Sequence, residues 1–331
     1  MNKRNKKVSV GIVGVGHLGK HHVKHLAAMD NVECVGLYDI DEARATVISD
    51  KYNVKSYDSL EALLSDCDAV TIVTPTDTHF NVASDCLTAG KHVFIEKPIT
   101  KSVAEAEQLL TLANTNEVLI QVGHIERLNP ALVPLKNYSI SPKYIEIQRL
   151  APYDVRGTDV PVVLDKMIHD IDILLSLVNS EVESINANGI SILTDSVDIA
   201  NARIRFKNGT IANITSSRVS QDHVRKTKIF QQDLYITIDF LLGLTEIYRV
   251  IDPDEQDPDA IKDVRFHYGN KTKKIVYEKP NLPLFDALKA ELENFTNSVR
   301  GIASPIVDGH AGKNALELAS NIHDLILEDL H

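Results

Sequence analysis

Up to residue 123 the chain alternates short runs of Val, Ile and other apolar residues with stretches in which apolar positions recur at helical spacing. The runs that begin at Val8 and those at 32–38, 68–74, 92–96 and 118–123 read as strands. Between them the pattern predicts helices at 18–29, at 41–52 with Asp41 as cap, at 59–65 behind a capping-box-like Asp58 and Glu61, at 78–89 closed by Gly90, and from a Ser102 cap to 114. Strands apolar along their whole length are covered on both faces, as in parallel sheets. Repeated βα units therefore predict an α/β domain with a doubly wound parallel sheet over residues 1–124.

Beyond His124 the pattern changes. One apolar helix, at 162–178, precedes five alternating strands at 199–206, 210–216, 234–240, 244–251 and 273–277, and Asn208-Gly209 is a two-residue hairpin signal. The segment 252–259, with two prolines and five acids, reads as a mobile surface loop. Helices at 284–300 and 311–330 close the chain. Residues 125–331 are thus expected to form a second, α+β domain with a large, mostly antiparallel open sheet.

The first apolar run breaks into Gly14-x-Gly16-x-x-Gly19. In a strand–turn–helix context this spacing suits a dinucleotide: one glycine for the tight turn, one for close approach of a pyrophosphate, one for helix packing on the sheet. The second run ends in Asp39, 20 residues beyond Gly19, where a ribose-binding acid belongs. The plainer alternative is a glycine-rich turn with a helix-capping Asp. Asp39 predicts NAD over NADP, because a carboxylate there repels a 2′-phosphate and neither Ile40 nor Asp41 supplies a cation.

A net charge of −11 and a pI near 5.6 oppose a nucleic-acid partner. No run approaches the roughly 18 apolar residues of a membrane span, so no membrane partner is expected. The basic tail at 1–7 is not followed by the apolar stretch of a secretory signal and reads as a frayed terminus. Cys34, Cys67 and Cys86 form no C-x-x-C pair. They read as buried thiols of a reducing cytoplasm, with neither disulfide nor metal implied.

Two constellations could carry chemistry. Glu96-Lys97-Pro98 follows a strand of the first domain, at the sheet edge where open α/β folds bind ligands; the plainer alternative is a surface lysine in a proline turn. On the helix after the domain junction, Asp165, His169 and Asp172 are spaced i, i+4, i+7, beside an apolar face of Leu164, Ile168, Ile171 and Leu175. A histidine between carboxylates suits a catalytic cleft, and a solvated helix face would show the same spacing.

Together, the glycine motif, Thr74-Pro75-Thr76 followed by His79, Glu96-Lys97-Pro98, and Asp165-x-x-x-His169-x-x-Asp172 resemble the Gfo/Idh/MocA family of sugar dehydrogenases along essentially the whole chain. The resemblance implies a nicotinamide cofactor on an N-terminal Rossmann domain, a substrate held against the second domain's sheet, and a homodimer or homotetramer built through that sheet. It implies cofactor contacts from Gly14, Gly16, His17, Leu18, Gly19, Asp39, Thr74, Pro75, His79, Glu96 and Lys97. Lys97 matches the family's lysine near nicotinamide and substrate, His169 its acid/base histidine, Asp165 the preceding acid, and Asp172 an orienting or substrate-side group.

The stretches 123–130 and Arg156-Gly157-Thr158-Asp159 are similar to members of the family that act on nucleotide sugars, although Leu128 stands where those carry Phe. With Arg127, Arg149, Arg156 and Arg218 on segments that the family layout places near substrate, this implies an anionic substrate. UDP-N-acetylglucosamine oxidised at its 3-position leads. The alternatives are a free sugar or inositol, arginines that pair with the chain's own acids, and a non-catalytic NAD(H) sensor. Redox-assisted glycoside hydrolysis, with NAD recycled, is a further rival.

Overall fold

The computed structural model describes residues 7–154, 160–282 and 285–330. The chain divides into two units. One comprises the chain up to Leu128 together with Asp286–Glu317, and the other Asn129–Phe285 with the chain from Leu318 onward.

In the first unit, β1 (Val8–Val13), β2 (Val32–Tyr38), β3 (Ala69–Ile72), β4 (His92–Glu96) and β5 (Ile120–Gly123) form a parallel sheet in the order β2-β1-β3-β4-β5. Their apolar runs sit between helices, so Val10, Ile12, Ile72, Phe94 and Ile95 are fully buried. The helices are α1 (Gly19–Ala27), α2 (Glu42–Tyr52), α3 (Leu60–Asp66), α4 (Thr76–Thr88) and α5 (Val103–Thr115). Asp41 caps α2 by accepting the Arg44 N–H, and Ser102 with Glu105 forms the capping box of α5. The cap of α3 is Ser59, which accepts from Ala62 N–H, and the expected Asp58 lies one residue too early.

Chain order alone assigned everything after residue 124 to the second domain. The helix α7 (Ala287–Val299) instead returns to the first core, where Leu292 and Phe295 are fully buried and the Phe295 ring packs edge-on against Phe94 at 5.7 Å. Burying such a ring contributes about 2–3 kcal/mol. The start of α8 (Gly309–Leu330) follows it, with Gly309 and Gly312 seated so closely that a Cβ would lie 2.7 Å from Leu110 and 2.5 Å from Val122 respectively.

The second unit holds a nine-stranded sheet of order β13-β14-β12-β11-β10-β6-β9-β8-β7. The strands are β6 (Tyr144–Leu150), β7 (Val182–Ile190), β8 (Ile199–Phe206), β9 (Ile211–Ser217), β10 (Val224–Gln231), β11 (Leu234–Asp239), β12 (Leu244–Ile251), β13 (Lys262–Tyr268) and β14 (Lys271–Glu278). All neighbours are antiparallel except the parallel pair β6 and β9. The predicted hairpin joins β8 to β9 at Asn208-Gly209, with Gly209 at φ +84°. Five strands were expected, and β6, β7, β10 and β13 are additional. The predicted helix at 162–178 is a π-helical turn, Val163–Met167, running into α6 (Ile168–Leu177). Of its expected apolar face, Ile168 and Ile171 are fully buried while Leu164 and Leu175 are half-buried.

The acidic segment 252–259 is tied to its own sheet, against the expectation of a mobile loop. Asp257 pairs with Arg249, Asp252 with Lys273 at 2.8 Å, and the Glu255 carbonyl accepts from Lys274. Two of its five acids, Asp252 and Asp257, thus pair with basic residues of β14 and β12. Cys67 and Cys86 are buried, and Cys34 is half-buried. Burial pushes the Cys34 and Cys67 thiols up to about 11 and raises that of Cys86 further, which keeps them protonated and unreactive at neutral pH.

Candidate functional site

The loop between β1 and α1 shows what each glycine does. Gly14 has φ +85°, and a Cβ there would lie 2.6 Å from the Val73 carbonyl oxygen. A Cβ on Gly19 would lie 2.0 Å from the Gly14 oxygen, so only glycine lets the helix start this close to the strand. At Gly16 a Cβ would meet nothing within 4 Å, and the backbone there faces open space that a ligand can fill. The first N–H groups of α1 receive no side-chain cap and no acid in the first turn. His17 and Leu18 are exposed beside them. A helix N-terminus with no acid and no side-chain cap, beside a glycine that faces open space, suits a pyrophosphate, so the residues present fit a dinucleotide.

Asp39, at the end of β2, is buried and holds this loop in place: its Oδ2 accepts the Val15 N–H at 2.8 Å and its Oδ1 the Asp41 N–H at 2.9 Å. Ile40, next to it, is 90% exposed.

The ends of β3 and β4 are joined by His79. Its buried ring lies between the Thr74 carbonyl, 2.9 Å from Nε2, and the Pro98 carbonyl, 2.9 Å from Nδ1. Thr74 is half-buried and Pro75 exposed. Glu96 faces inward: Oε1 lies 3.2 Å from Nε2 of the fully buried His22 on α1, and Oε2 accepts the Lys97 N–H at 3.3 Å. A Cβ on Gly123 would come within 2.9 Å of the same carboxylate. His79 and Glu96 therefore position the Thr74–Pro75 and Lys97–Pro98 turns from within the protein, and the side chain of Lys97 is left half-buried at the sheet's carboxyl edge.

In the second unit, Asp165 lies in the π-helical turn, half-buried, 3.3 Å from Lys166 Nζ. His169 is half-buried in the first turn of α6, with Nδ1 buried, while Asp172 is buried at 1% exposure. The three do not form one uniform stripe: a π-turn carries more residues per turn than an α-turn, and Asp172 turns inward. Single π-turns recur at functional sites, a signal that sequence spacing could not supply.

The arginines divide. Arg149 is buried and grips Asp170 of α6 in a fork, Nε to Oδ2 at 2.8 Å and Nη2 to Oδ1 at 2.9 Å. Arg218 is buried, donates to the Val160 and Val197 carbonyls, and lies 3.6 Å from Asp198. Both guanidinia are engaged by partners within the second unit. Arg127 is half-buried on the 3₁₀ turn Ile125–Leu128 of the first unit. Arg156, with Gly157, Thr158 and Asp159, lies outside the described residues.

Residues 8–124 match a family described as "Oxidoreductase family, NAD-binding Rossmann fold", and residues 154–236 match "GFO/IDH/MocA C-terminal domain". The chain belongs to the Gfo/Idh/MocA oxidoreductase family. It is 36% identical to the UDP-N-acetylglucosamine 3-dehydrogenase of Acidithiobacillus ferrooxidans over 94% of this chain and 95% of that protein. A solved structure of that enzyme superposes with a TM-score of 0.87, at 34% identity, covering 98% of this chain and 99% of the other. The myo-inositol 2-dehydrogenase of Thermotoga maritima is 27% identical over 93% of each chain. Apo scyllo-inositol dehydrogenase from Lactobacillus casei shares the fold at a TM-score of 0.76.

Among the described residues of this Gfo/Idh/MocA chain, no cluster of three or more His, Cys, Asp or Glu could hold a metal, and no helix is long and apolar enough to cross a membrane. Sequence reading passed over His22, which lies against Glu96, and Arg44, which lies against Asp39.

Proposed function

We propose that this protein is an NAD-dependent dehydrogenase that oxidises a secondary alcohol of a sugar, with the 3-hydroxyl of UDP-N-acetylglucosamine as the leading substrate. The observation that carries this reading is the 36% identity to a UDP-N-acetylglucosamine 3-dehydrogenase along nearly the whole length of both chains. Gly14, Gly16, Gly19 and Asp39 would hold the dinucleotide, with Thr74 and Pro75 beside it. The nicotinamide, when bound, supplies the hydride acceptor.

In the proposed chemistry, His169 takes the hydroxyl proton at Nε2, as its Nδ1 is buried. Lys97 donates a hydrogen bond to the oxygen as alkoxide character develops. Asp165 orients the imidazole. The carbinol hydrogen leaves as hydride and the alcohol becomes a ketone, so one proton and one hydride account for the oxidation. A sensor that has lost the reaction would need neither Lys97 nor His169, and both are present.

A second reading, an uncharged sugar or inositol, is favoured by Arg149 and Arg218 being held by Asp170 and Asp198. Of the four arginines expected to meet an anion, these two are spent inside the unit. The test is a screen of UDP-sugars, free sugars and polyols with NAD present, read as NADH formation and as a rise in melting temperature. Turnover with UDP-N-acetylglucosamine alone supports the first reading, and turnover confined to free sugars or inositols supports the second.

A further inference from the structure

We propose that His22 is a positioning residue that sets the place of Lys97 through the carboxylate of Glu96; this rests on the role given to Lys97 above. His22 lies on α1, three residues beyond Gly19, and is fully buried. Its Nε2 is 3.2 Å from Glu96 Oε1, and Glu96 Oε2 accepts the Lys97 N–H at 3.3 Å. Nδ1 of the same ring is buried with no hydrogen-bond partner among the described residues, so the ring donates to Glu96 from Nε2.

If the ring only filled the core, an apolar side chain of its size would serve as well, and the edge-on contact with Phe94, centroids 5.5 Å apart, asks no more than that. What an apolar side chain would lack is the donor to Glu96. Gly123, the register partner of Glu96 on β5, leaves room for the carboxylate: a Cβ there would stand 2.9 Å from both Glu96 oxygens. With one oxygen fixed by a buried imidazole, the other is aimed at the Lys97 N–H. Beyond Lys97, the Pro98 carbonyl is 2.9 Å from His79 Nδ1, so buried imidazoles from α1 and α4 hold the turn from both sides. A displacement of about 1 Å in a group that must meet the reacting oxygen can cost about a hundredfold in rate. The help that Lys97 gives the oxidation therefore depends on a fully buried residue that acts through Glu96.

The experiment compares the full chain as wild type, His22→Gln and His22→Met. The Gln amide nitrogen reaches as far as Nε2 and still donates, whereas Met fills the space and cannot. Thermal melts check folding, and His22→Phe, which keeps a ring against Phe94, replaces His22→Met if that variant does not fold. Hydrogen exchange of the Lys97 N–H, read without any ligand, is expected to quicken at least about tenfold in His22→Met and to stay within about threefold of wild type in His22→Gln. Turnover of the sugar that the wild type oxidises should fall about tenfold to a hundredfold in His22→Met, with NADH affinity changed less than about threefold, and recover in His22→Gln. On a Glu96→Ala background, His22→Met should cost less than about threefold further, since its route to Lys97 is already cut. Exchange and turnover unchanged in His22→Met, losses that Gln does not restore, or the full loss repeated on the Glu96→Ala background would each overturn the proposal. A wild type that oxidises no sugar, polyol or UDP-sugar removes the dehydrogenase reading itself, and the exchange measurement still decides whether His22 holds Lys97.

Discussion

Asp170 receives the Arg149 guanidinium in a two-point fork at 2.8 and 2.9 Å, and both side chains are almost completely buried. The pair fastens α6, the helix that carries His169, to strand β6. A buried guanidinium is costly without its carboxylate, and removing one partner of such a pair typically costs about 3–5 kcal/mol. Arg149→Ala and Asp170→Ala are therefore expected to lower the melting temperature sharply. Arg149→Met with Asp170→Leu should recover much of it. Unchanged melting in Arg149→Ala, with loss only of sugar affinity, would return Arg149 to the substrate.

The glycines of the β1–α1 loop should separate folding from binding. A methyl group at Gly19 meets the Gly14 carbonyl at 2.0 Å and one at Gly16 meets nothing within 4 Å. Gly19→Ala is expected to destabilise the first unit, whereas Gly16→Ala should melt within about 2 °C of wild type and bind NADH at least about tenfold more weakly, since its methyl group occupies the space kept for a pyrophosphate. Melting curves paired with NADH titration check both.

Lys97→Ala and His169→Ala are each expected to lower turnover by about two to four orders of magnitude, with NADH affinity changed far less. The fold should persist, as both side chains are only half-buried. Near-normal turnover in either variant, measured on the true substrate, would remove that residue from the proposed chemistry.

Elements with a run or a regular alternation of apolar residues were legible from sequence: β2, β4, β8 and β12 fall where the pattern predicted them. The strands that escaped, such as β7 (Val-Glu-Ser-Ile-Asn-Ala-Asn-Gly-Ile) and β10 (Val-Arg-Lys-Thr-Lys-Ile-Phe-Gln), carry polar residues at four of nine and five of eight positions. They are strands because neighbours pair with them, and an edge strand such as β7 buries one face only. At the site, Gly14 and Gly19 were legible because each answers a local steric demand, while Gly16 meets none within the chain. The partners of Arg149 and Glu96 were not legible: Asp170 lies 21 residues from Arg149, and His22 lies 74 from Glu96. Only the folded chain brings them together.

Asp198 should shape the acid limb of stability. Burial alone would raise its pKa. The N–H groups of Leu193 and Ile192 at 2.7 and 2.8 Å, the Thr194 hydroxyl and the Thr194 N–H outweigh burial and lower it to about 2. A carboxylate held below its unfolded value contributes stability that is fully present above that unfolded value, near pH 4, and is lost as pH falls toward about 2. The contribution is about 2 kcal/mol. Denaturant titrations between pH 7 and 2 should show this loss in wild type, and Asp198→Asn should be less stable at pH 7 with a flatter acid limb.

Association of copies is expected through the second unit's sheet, on the face opposite its buried one. Tyr144, Phe230, Tyr235, Tyr248 and Tyr277 lie in one cross-strand register over β6, β10, β11, β12 and β14, with successive ring centroids 5.7, 4.7, 5.5 and 5.0 Å apart. Their alternate neighbours Ile145, Ile229, Ile236, Ile247 and Val276 are fully buried on the other face, and the five rings are each half-buried. A continuous aromatic ridge across five strands is large enough to serve an isologous contact, and aromatic side chains are enriched at such interfaces. Light scattering is therefore expected to give a dimer or tetramer. Tyr235→Lys with Tyr248→Glu should shift the mass toward monomer while the first unit still binds NADH. A wild-type mass equal to one chain at every concentration would refute the expectation, and an oligomer indifferent to both substitutions would move the interface away from this ridge.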